Sequence, residues 1–560
     1  MCGILGFYSP VLPPSLKEEM KTSLNSLTHR GPDDKGFFLK KNKVGNVMLA
    51  HTRLSIIDLT KGANQPMVSG CGRFALSFNG EIYNYREIRT SLKKNGYNFV
   101  TSSDTEVLLS AWEFWGEDCL KKLTGMFAFA IFDQKEQTLH LARDAFGIKP
   151  LFYSFKNQTL FFSSEIEALF KFSLLHRKPN FQTIFDYLTL SRVDRGEKTF
   201  FESVKHLLPG HILKFVIGQK PTLRISRWWN PKITENKEIT FEDASEKLRA
   251  LFLKSVSLHT RSDVPISATL SGGIDSSAIV CCMRELNPDV PINTFSYLAR
   301  DSPKNEERWI KLVNNYVNAN PHFITIDKND LLFDLEKLIR LQGEPFGSTS
   351  IYAQFQVFKK CHEMGIKVTL DGQGADEMLA GYLGYPEERF KSLLANYELV
   401  EVFKLYKSIK NSNGNYANAV FFDAIKSFFD CKNPSFSKQV DFTNQYLSDS
   451  FSYQSFFCYQ KNHSHRNKRS LMKALRNSLT GKKGLVHLLR YEDRNSMFHS
   501  IESRVPFLNT EIAEFTLSLP EIFLISRDFK TKNIFRHAMR GIVPDEILQR
   551  KDKVGFETPN

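Results

Sequence analysis

The hydrophobic rhythm of this chain changes near Trp229, and that change demands a fold in two unlike parts. Before it, short apolar runs are punctuated by Gly, Asn and Asp turns: MLAHTRLSIID, RFALSFNGEIYN, GMFAFAIFD, TLHLARD, PLFYSF and TLFFSSE. The spacing is that of hairpin-connected strands, with EIRTSLKKN and DTEVLLSAWEFWG as helical stretches between them. Packed antiparallel sheets with flanking helices are the expected outcome. A polar segment, WNPKITENKEITFED, follows and reads as a linker. Beyond it the unit becomes apolar strand, Gly loop and helix, as in VPISATL, SGGIDSS and AIVCCMREL, and again in KVTLDGQGADEMLAG. This alternation predicts a parallel sheet covered by helices. We expect one domain over residues 1–215, a linker over 216–240 and a second domain over 241–560, in which 385–480 reads mostly helical.

Composition bounds the classes. A chain of 560 residues is too long for one core, and 42% hydrophobic with 24% charged residues is ordinary for a multidomain globular protein. No apolar run approaches a membrane span and the start lacks a basic-then-apolar leader, so a cytoplasmic location without a membrane partner is expected. The eight cysteines (2, 71, 119, 281, 282, 361, 431 and 458) form no CxxC pair, which favours free thiols over disulfides or zinc. The net charge of +14 raises the question of nucleic acid. The one dense basic stretch, Lys461 to Lys483, carries no recognised binding motif and reads as a solvated helical face, so no nucleic-acid partner is expected. A positive field still suits ATP and carboxylates.

Cys2 is the first candidate for chemistry. Trimming Met1 would leave a thiol and an α-amine on one residue, and an amine of pKa about 8 can take the proton of a thiol of pKa about 8.5 without a histidine. Around it in sequence stand HRGPDD (29–34), RLSIID (53–58), NGEIYN (79–84) and SSDTE (102–106). Thiolate attack on a carboxamide creates an oxyanion, for which the Asn79 amide and the Gly80 N–H are candidate donors. Arg53 can take an α-carboxylate, and Asp104, helped by Glu81, an α-ammonium. Singly these have plainer readings: a packed cysteine, an Asn-Gly hairpin turn, and Asp104 as a helix cap. Together they favour a cysteine amidase acting on glutamine.

SGGIDSS (271–277) follows an apolar strand and opens a helix, an arrangement that cradles a polyphosphate through backbone N–H groups and the hydroxyls of Ser271, Ser276 and Ser277. Asp275 can hold Mg2+. The Walker loop GxxxxGK[ST] is absent, which argues against γ-phosphate transfer. In LDGQGADE (370–377), Asp371 and Gly372 can line the nucleotide pocket and Asp376 can share the metal with Asp275. Farther on, Lys532 can neutralise a leaving pyrophosphate or adenylate.

In this order, MCGI, HRGPD, RLSI, NGEIYN, SSDTE, SGGIDSS, GQGADE, SIESRVPFL and KNIFR resemble the glutamine-hydrolysing asparagine synthetase family, from residue 1 to about 555. The resemblance implies an α+β N-terminal-nucleophile αββα sandwich followed by an α/β adenine-nucleotide hydrolase-like domain. It implies that Cys2 frees ammonia through a thioester, that the ammonia travels inside the protein, and that ATP adenylates a carboxylate, usually aspartate, from which ammonia displaces AMP. By position, Arg53, Leu54, Ser55, Ile56, Ile57, Asn79, Gly80, Glu81 and Asp104 match the family's glutamine pocket. Leu270, Ser271, Gly272, Gly273, Asp275, Ser276, Tyr297, Asp371 and Gly372 match its ATP site, and Lys532 a lysine that steadies adenylation. One departure stands out: Gln373 occupies the place of a glutamate tied to the acyl-adenylate, and a carboxamide takes up no proton near neutral pH. Asparagine synthesis is therefore the leading expectation, amidation of another carboxylate such as a cell-wall or surface-polysaccharide precursor the second, and a non-catalytic glutamine or ATP sensor the third. The sequence leaves the assembly open, a homodimer included.

Overall fold

The computed structural model describes residues 2–190, 192–194, 196–300, 305–412, 414–429, 469–481 and 484–550. Residues 461–468 and 482–483 of the basic stretch, and residues 430–468 of the region expected to be helical, lie outside the described residues.

Alternating apolar residues build the first part. Two six-stranded sheets are formed. In spatial order the first runs Lys205–His206, Phe152–Lys156, Thr159–Ser163, Gly3–Ser9, Gly45–Arg53 and Asp34–Asn42. The second runs Thr222–Arg227, His211–Val216, Thr138–Arg143, Gly125–Asp133, Phe74–Ile82 and Met67–Val68. Every strand pair in both is antiparallel. Successive side chains point to opposite faces. Ile4, Tyr8, Val47 and Leu49 therefore meet Ala75, Ala128, Ala130 and Phe132 between the sheets. Their neighbours Leu5, Phe7, Met48 and Ala50 pack outward against Leu16, Met20 and Leu24 of the helix Pro14–Asn25. On the far side of the second sheet, Leu76, Phe78, Phe127 and Phe129 share a core with Leu108 and Trp112 of the helix Asp104–Trp115. The result is a four-layer αββα sandwich.

Thr222–Arg227 falls inside the segment 216–240 expected as a linker, yet it closes the edge of the second sheet against His211–Val216. Its sequence, TLRISR, is largely exposed, and a polar edge strand carries the same composition as a linker. Past it, residues 230–239 have no regular element, and Thr240 caps the helix Phe241–His259 by accepting from the Asp243 amide at 3.1 Å.

The second part holds a five-stranded parallel sheet in the order Asn320–Ile324, Asn293–Tyr297, Ile266–Thr269, Val368–Leu370 and Glu502–Arg504. The order of strands reverses between Ile266–Thr269 and Val368–Leu370. In open α/β sheets a ligand crevice forms at such a switch, outside the carboxyl ends of the strands. SGGIDSS and DGQGADE are the loops that leave those two ends.

The two parts meet through buried charge. Arg30, with no exposed surface, donates to Asp493 through both terminal nitrogens at 2.8 and 3.0 Å and to Glu165 at 2.9 Å. Arg494 holds the other Glu165 oxygen at 2.9 Å. Burial alone would raise these two carboxyls, but Arg494, His29 and Arg30 around Glu165, and Arg30 and Lys149 around Asp493, outweigh it and hold both below the usual range. Unfolded carboxyls titrate near pH ~4. The stability this joint contributes is therefore complete above that pH and is lost as pH falls through the lower folded-state values. Thermal unfolding midpoints should stay level from about pH 7 to about pH 5 and drop below about pH 4, with Asp493→Asn flattening the acid limb.

Candidate active site

Cys2 precedes the Gly3–Ser9 strand and is 7% exposed. Gly3 N–H donates to Thr52 Oγ1 at 3.1 Å and Ile4 N–H to Ser164 Oγ at 3.0 Å, so the chain start is pinned. The Cys2 nitrogen donates to Asn79 Oδ1 at 3.0 Å. This leaves Asn79 Nδ2, buried beside the cysteine, without a partner. An orphaned buried amide donor is costly unless something arrives to accept from it, and an oxyanion formed at the thiol fits. Gly80, next on the same strand, has φ +152°, and a Cβ there would collide with the Met126 carbonyl. Burial pushes the Cys2 thiol up, opposed by the Leu54 N–H and Arg53. A thiol so placed reacts only once a base takes its proton.

The remaining residues matched to the glutamine pocket are partly redirected. Arg53 donates to the carbonyls of Asp58 and Thr60 and to Asn64 Oδ1 at 2.7 Å, so its guanidinium fastens the loop after its own strand. Leu54, Ile56 and Ile57 are buried, and the Ser55 N–H donates to Asp33 Oδ2 at 2.7 Å. Asp104 does not cap its helix: Ser103 does, accepting from the Glu106 amide at 3.2 Å. Asp104 instead accepts from the Ile82 amide at 2.9 Å, close behind Glu81. Burial, with Glu502 and Asp104 nearby, pushes the Glu81 carboxyl well up, and Glu81 Oε2 has no hydrogen-bond partner. Burial raises Asp104 as well.

At the parallel sheet, Ser271 N–H and Oγ both lie 3.1 Å from Ser276 Oγ, which closes the SGGIDSS loop on itself. Leu270 N–H donates to the Phe295 carbonyl at 2.9 Å, and Tyr297 ends the neighbouring strand. Gly273 caps the helix Ile274–Leu286, and Gly272 offers its carbonyl to Arg550 Nη1 at 2.9 Å. Across the crevice Asp371 accepts from Thr269 Oγ1 at 2.7 Å and from the Gln373 amide at 3.1 Å. Gly372 comes so near that a Cβ on it would lie 3.3 Å from that of Asp275.

Lys532, 4% exposed, sits at the centre. Its Nζ lies 2.7 and 2.6 Å from the two Asp275 oxygens and 2.7 Å from Asp376 Oδ1. Burial alone would lower this lysine, but Asp275 and Asp376 outweigh it and hold it above the usual value. Two carboxylates converging on one cation form an all-oxygen donor set of the kind Mg2+ takes together with substrate phosphates. A cavity of about 420 Å³ opens beside this crevice, with Gln373, Gln354, Ser350, Arg192, His487 and Tyr491 in its wall.

Several residues of the site carried no signal in the sequence reading. Gly381 leaves room for Asp376 and Lys532, since a Cβ there would strike both side chains. Arg550 holds the SGG loop from 278 residues away. Asp194, His206 and Glu344 bring ligand-type atoms within 4.8 Å of one another, but Arg490 already pairs with Asp194 at 2.9 Å. His206 is pushed down by burial against the opposite pull of Asp194, and Arg490 balances the Asp194 charge, so the cluster reads as a buried ion-pair joint.

A buried thiol at position 2 beside an unpartnered amide donor, in one chain with a Gly-Ser loop at the switch point of a parallel sheet, is the arrangement of an enzyme that takes nitrogen from an amide and uses a nucleotide to join it elsewhere. Residues 1–229 match a family model described as a glutamine amidotransferase domain, and residues 247–560 one described as asparagine synthase. Asparagine synthetases [glutamine-hydrolyzing] 3 and 1 of Bacillus subtilis are each 30% identical, over 98% and 100% of this chain and 86% and 87% of their own. Amidase chry2 of Gibberella zeae is 27% identical over 99% of this chain and 88% of its own. The chain belongs to the asparagine synthase family. It is an ATP-dependent ligase with glutamine as its amide donor. No described helix is long and apolar enough to cross a membrane.

Proposed function

We propose that this protein makes asparagine from aspartate in the cytoplasm. Cys2 attacks the glutamine carboxamide, its α-amine takes the thiol proton, and Asn79 Nδ2 with the Gly80 N–H holds the oxyanion. Leu54, Ser55, Ile56 and Ile57 shape the pocket, Arg53 and the loop it fastens face the substrate carboxylate, and Asp104 with Glu81 face its ammonium. At the second site Leu270, Ser271, Gly272, Gly273 and Ser276 cradle ATP, with Tyr297 beside the adenine and Asp371 and Gly372 opposite. The acceptor carboxylate attacks the α-phosphorus, pyrophosphate leaves against Lys532, and ammonia then displaces AMP from the acyl carbon. Asp275 and Asp376 would hold Mg2+, which when bound supplies neutralisation of the pyrophosphate charge.

The observation that carries this reading is the convergence of Asp275, Asp376 and Lys532 at the switch point of the parallel sheet, in one chain with Cys2 and Asn79. The test is product analysis with glutamine, aspartate, ATP and Mg2+. Asparagine, glutamate, AMP and pyrophosphate in equal amounts are expected. ADP with phosphate would sink the adenylation chemistry. The cavity of about 420 Å³ favours a second reading, in which the acceptor is a larger carboxylate such as a sugar acid. Amidation of a sugar acid without asparagine would establish it.

A further inference from the structure

Two adjacent glycines in the phosphate loop pose a problem that the loop does not solve by itself. The peptide between Gly272 and Gly273 has no Cβ on either side to oppose its rotation, so it can turn over at little cost. Its two orientations differ in charge, because the carbonyl and N–H of a planar trans peptide point away from each other. With the N–H inward the loop offers a donor to a polyphosphate, and with the carbonyl inward it offers a repelling oxygen. The structure holds the first orientation from outside. Arg550 Nη1 donates to the Gly272 carbonyl at 2.9 Å, while the Gly273 N–H of the same peptide faces Ser271 Oγ at 3.4 Å. Gly272 has φ +74°, and a Cβ there would lie 2.8 Å from the Trp309 Cβ, so the helix Glu307–Val317 backs the loop where Arg550 grips it. Arg550, 8% exposed, is itself fixed: its Nη2 pairs with Glu306 Oε1 at 2.7 Å, and its guanidinium carbon lies 5.2 Å from the centre of the Trp309 ring. Its own carbonyl accepts at 2.9 Å from Nη1 of Arg536, on the helix Asn533–Ala538 that begins directly after Lys532. Two arginines thus tie the phosphate loop to the opposite wall of the crevice.

We propose that Arg550 is a positioning residue for the nucleotide, locking the Gly272–Gly273 peptide with its N–H toward the phosphates. The inference rests on the reading of SGGIDSS as the phosphate cradle. The Glu306 carboxylate sits on the guanidinium, so the group contributes backbone geometry and little net charge. A guanidinium suits the task because its planar fork reaches the carbonyl and the carboxylate at once and lays a flat face against Trp309, which an ammonium cannot do. Binding energy that would otherwise go into ordering the loop is retained for ATP. The tie through Arg536 also fixes the loop relative to Lys532, the residue placed against the departing pyrophosphate.

The test uses the full-length protein, with MgATP and AMP binding measured by equilibrium dialysis and glutamate release from glutamine reporting that each variant is folded. Arg550→Ala should weaken MgATP binding about 30-fold and AMP binding less than about threefold, because AMP has no pyrophosphate to meet the loop. Arg550→Lys should remain at least about tenfold weaker than the parent, since it keeps the charge and loses the fork. Millimolar guanidinium ion should return Arg550→Ala to within about fivefold of the parental MgATP affinity, a rescue that a merely structural role would not give. Parental MgATP affinity in either variant, equal weakening of MgATP and AMP, or loss of glutamate release without rescue would overturn the proposal. Absence of MgATP binding by the unmutated protein, with glutamate release intact, would overturn the phosphate-cradle reading instead, and the inference with it.

Discussion

Cys2→Ala is expected to lower glutamate release from glutamine by at least about 10⁴-fold, while ammonia-dependent amide formation stays near the parental rate. The size of the first effect follows from the geometry around the thiol. In the proposed mechanism the substrate carboxamide has one nucleophile to meet, and Asn79 Nδ2, buried and without a partner, is the donor assigned to the charge that this attack creates. Without the sulfur no oxyanion forms there, so the donor has nothing to stabilise. The survival of the second activity follows from distance in the fold. Cys2 opens a strand of the sandwich, whereas the phosphate loop leaves the end of Ile266–Thr269 in the other sheet. Parallel assays of glutamate release and of AMP formation with ammonium salt decide the matter. A variant that kept hydrolysing glutamine would remove Cys2 from the chemistry, and one that lost both activities would show that the cysteine holds the joint between the parts. Loss of both is not expected, because Arg30 Nε donates to the Cys2 main-chain carbonyl at 3.1 Å while its terminal nitrogens hold Asp493, and alanine keeps that carbonyl.

That joint marks the boundary of what the sequence made legible. Local pattern sufficed for the sandwich, since alternation in GMFAFAIFD places Ala128 and Ala130 on one face and Phe127 and Phe129 on the other. It sufficed as well for the crevice, because a strand, a Gly loop and a helix are contiguous in sequence. It failed at the edge strand Thr222–Arg227, where exposure on the strand's outer face erases the alternation that would announce it. Asp104 was expected at the site or as a helix cap, and its contacts were not legible: Ser103 takes the cap, and Asp104 reaches the Ile82 amide. Pairings such as Arg30 with Asp493 had no local trace, because an ion pair between residues hundreds of positions apart leaves no periodicity. Arg550 was hidden for the same reason, and only the folded chain puts it on the Gly272 carbonyl.

Lys532→Met is expected to lower ATP-dependent amide formation by about 10³-fold and leave glutamate release intact. In the structure this one ammonium is shared by Asp275 and Asp376, and both carboxylates lie in the first turns of the helices that follow the loops at the switch point. Removing it leaves two negative groups facing the place where a triphosphate must settle, so repulsion adds to the loss of the cation that would meet the departing pyrophosphate. Stability should fall too. Breaking a fully buried pair costs about 3–5 kcal/mol. Asp275 and Asp376 retain 22% and 16% exposure, which lets water screen the orphaned charge and reduces the expected loss to about 2 kcal/mol. Lys532→Arg should not restore activity, although it keeps the charge. A guanidinium is broader than an ammonium, and Gly381 shows how little space remains, since even a methyl group at that position would strike Asp376 and the lysine stem. The measurements are pyrophosphate release, glutamate release and a thermal melt on the same preparations. Full pyrophosphate release by Lys532→Met would mean that Lys532 only balances the two aspartates, and parental activity in Lys532→Arg would mean that the crevice is roomier than Gly381 implies.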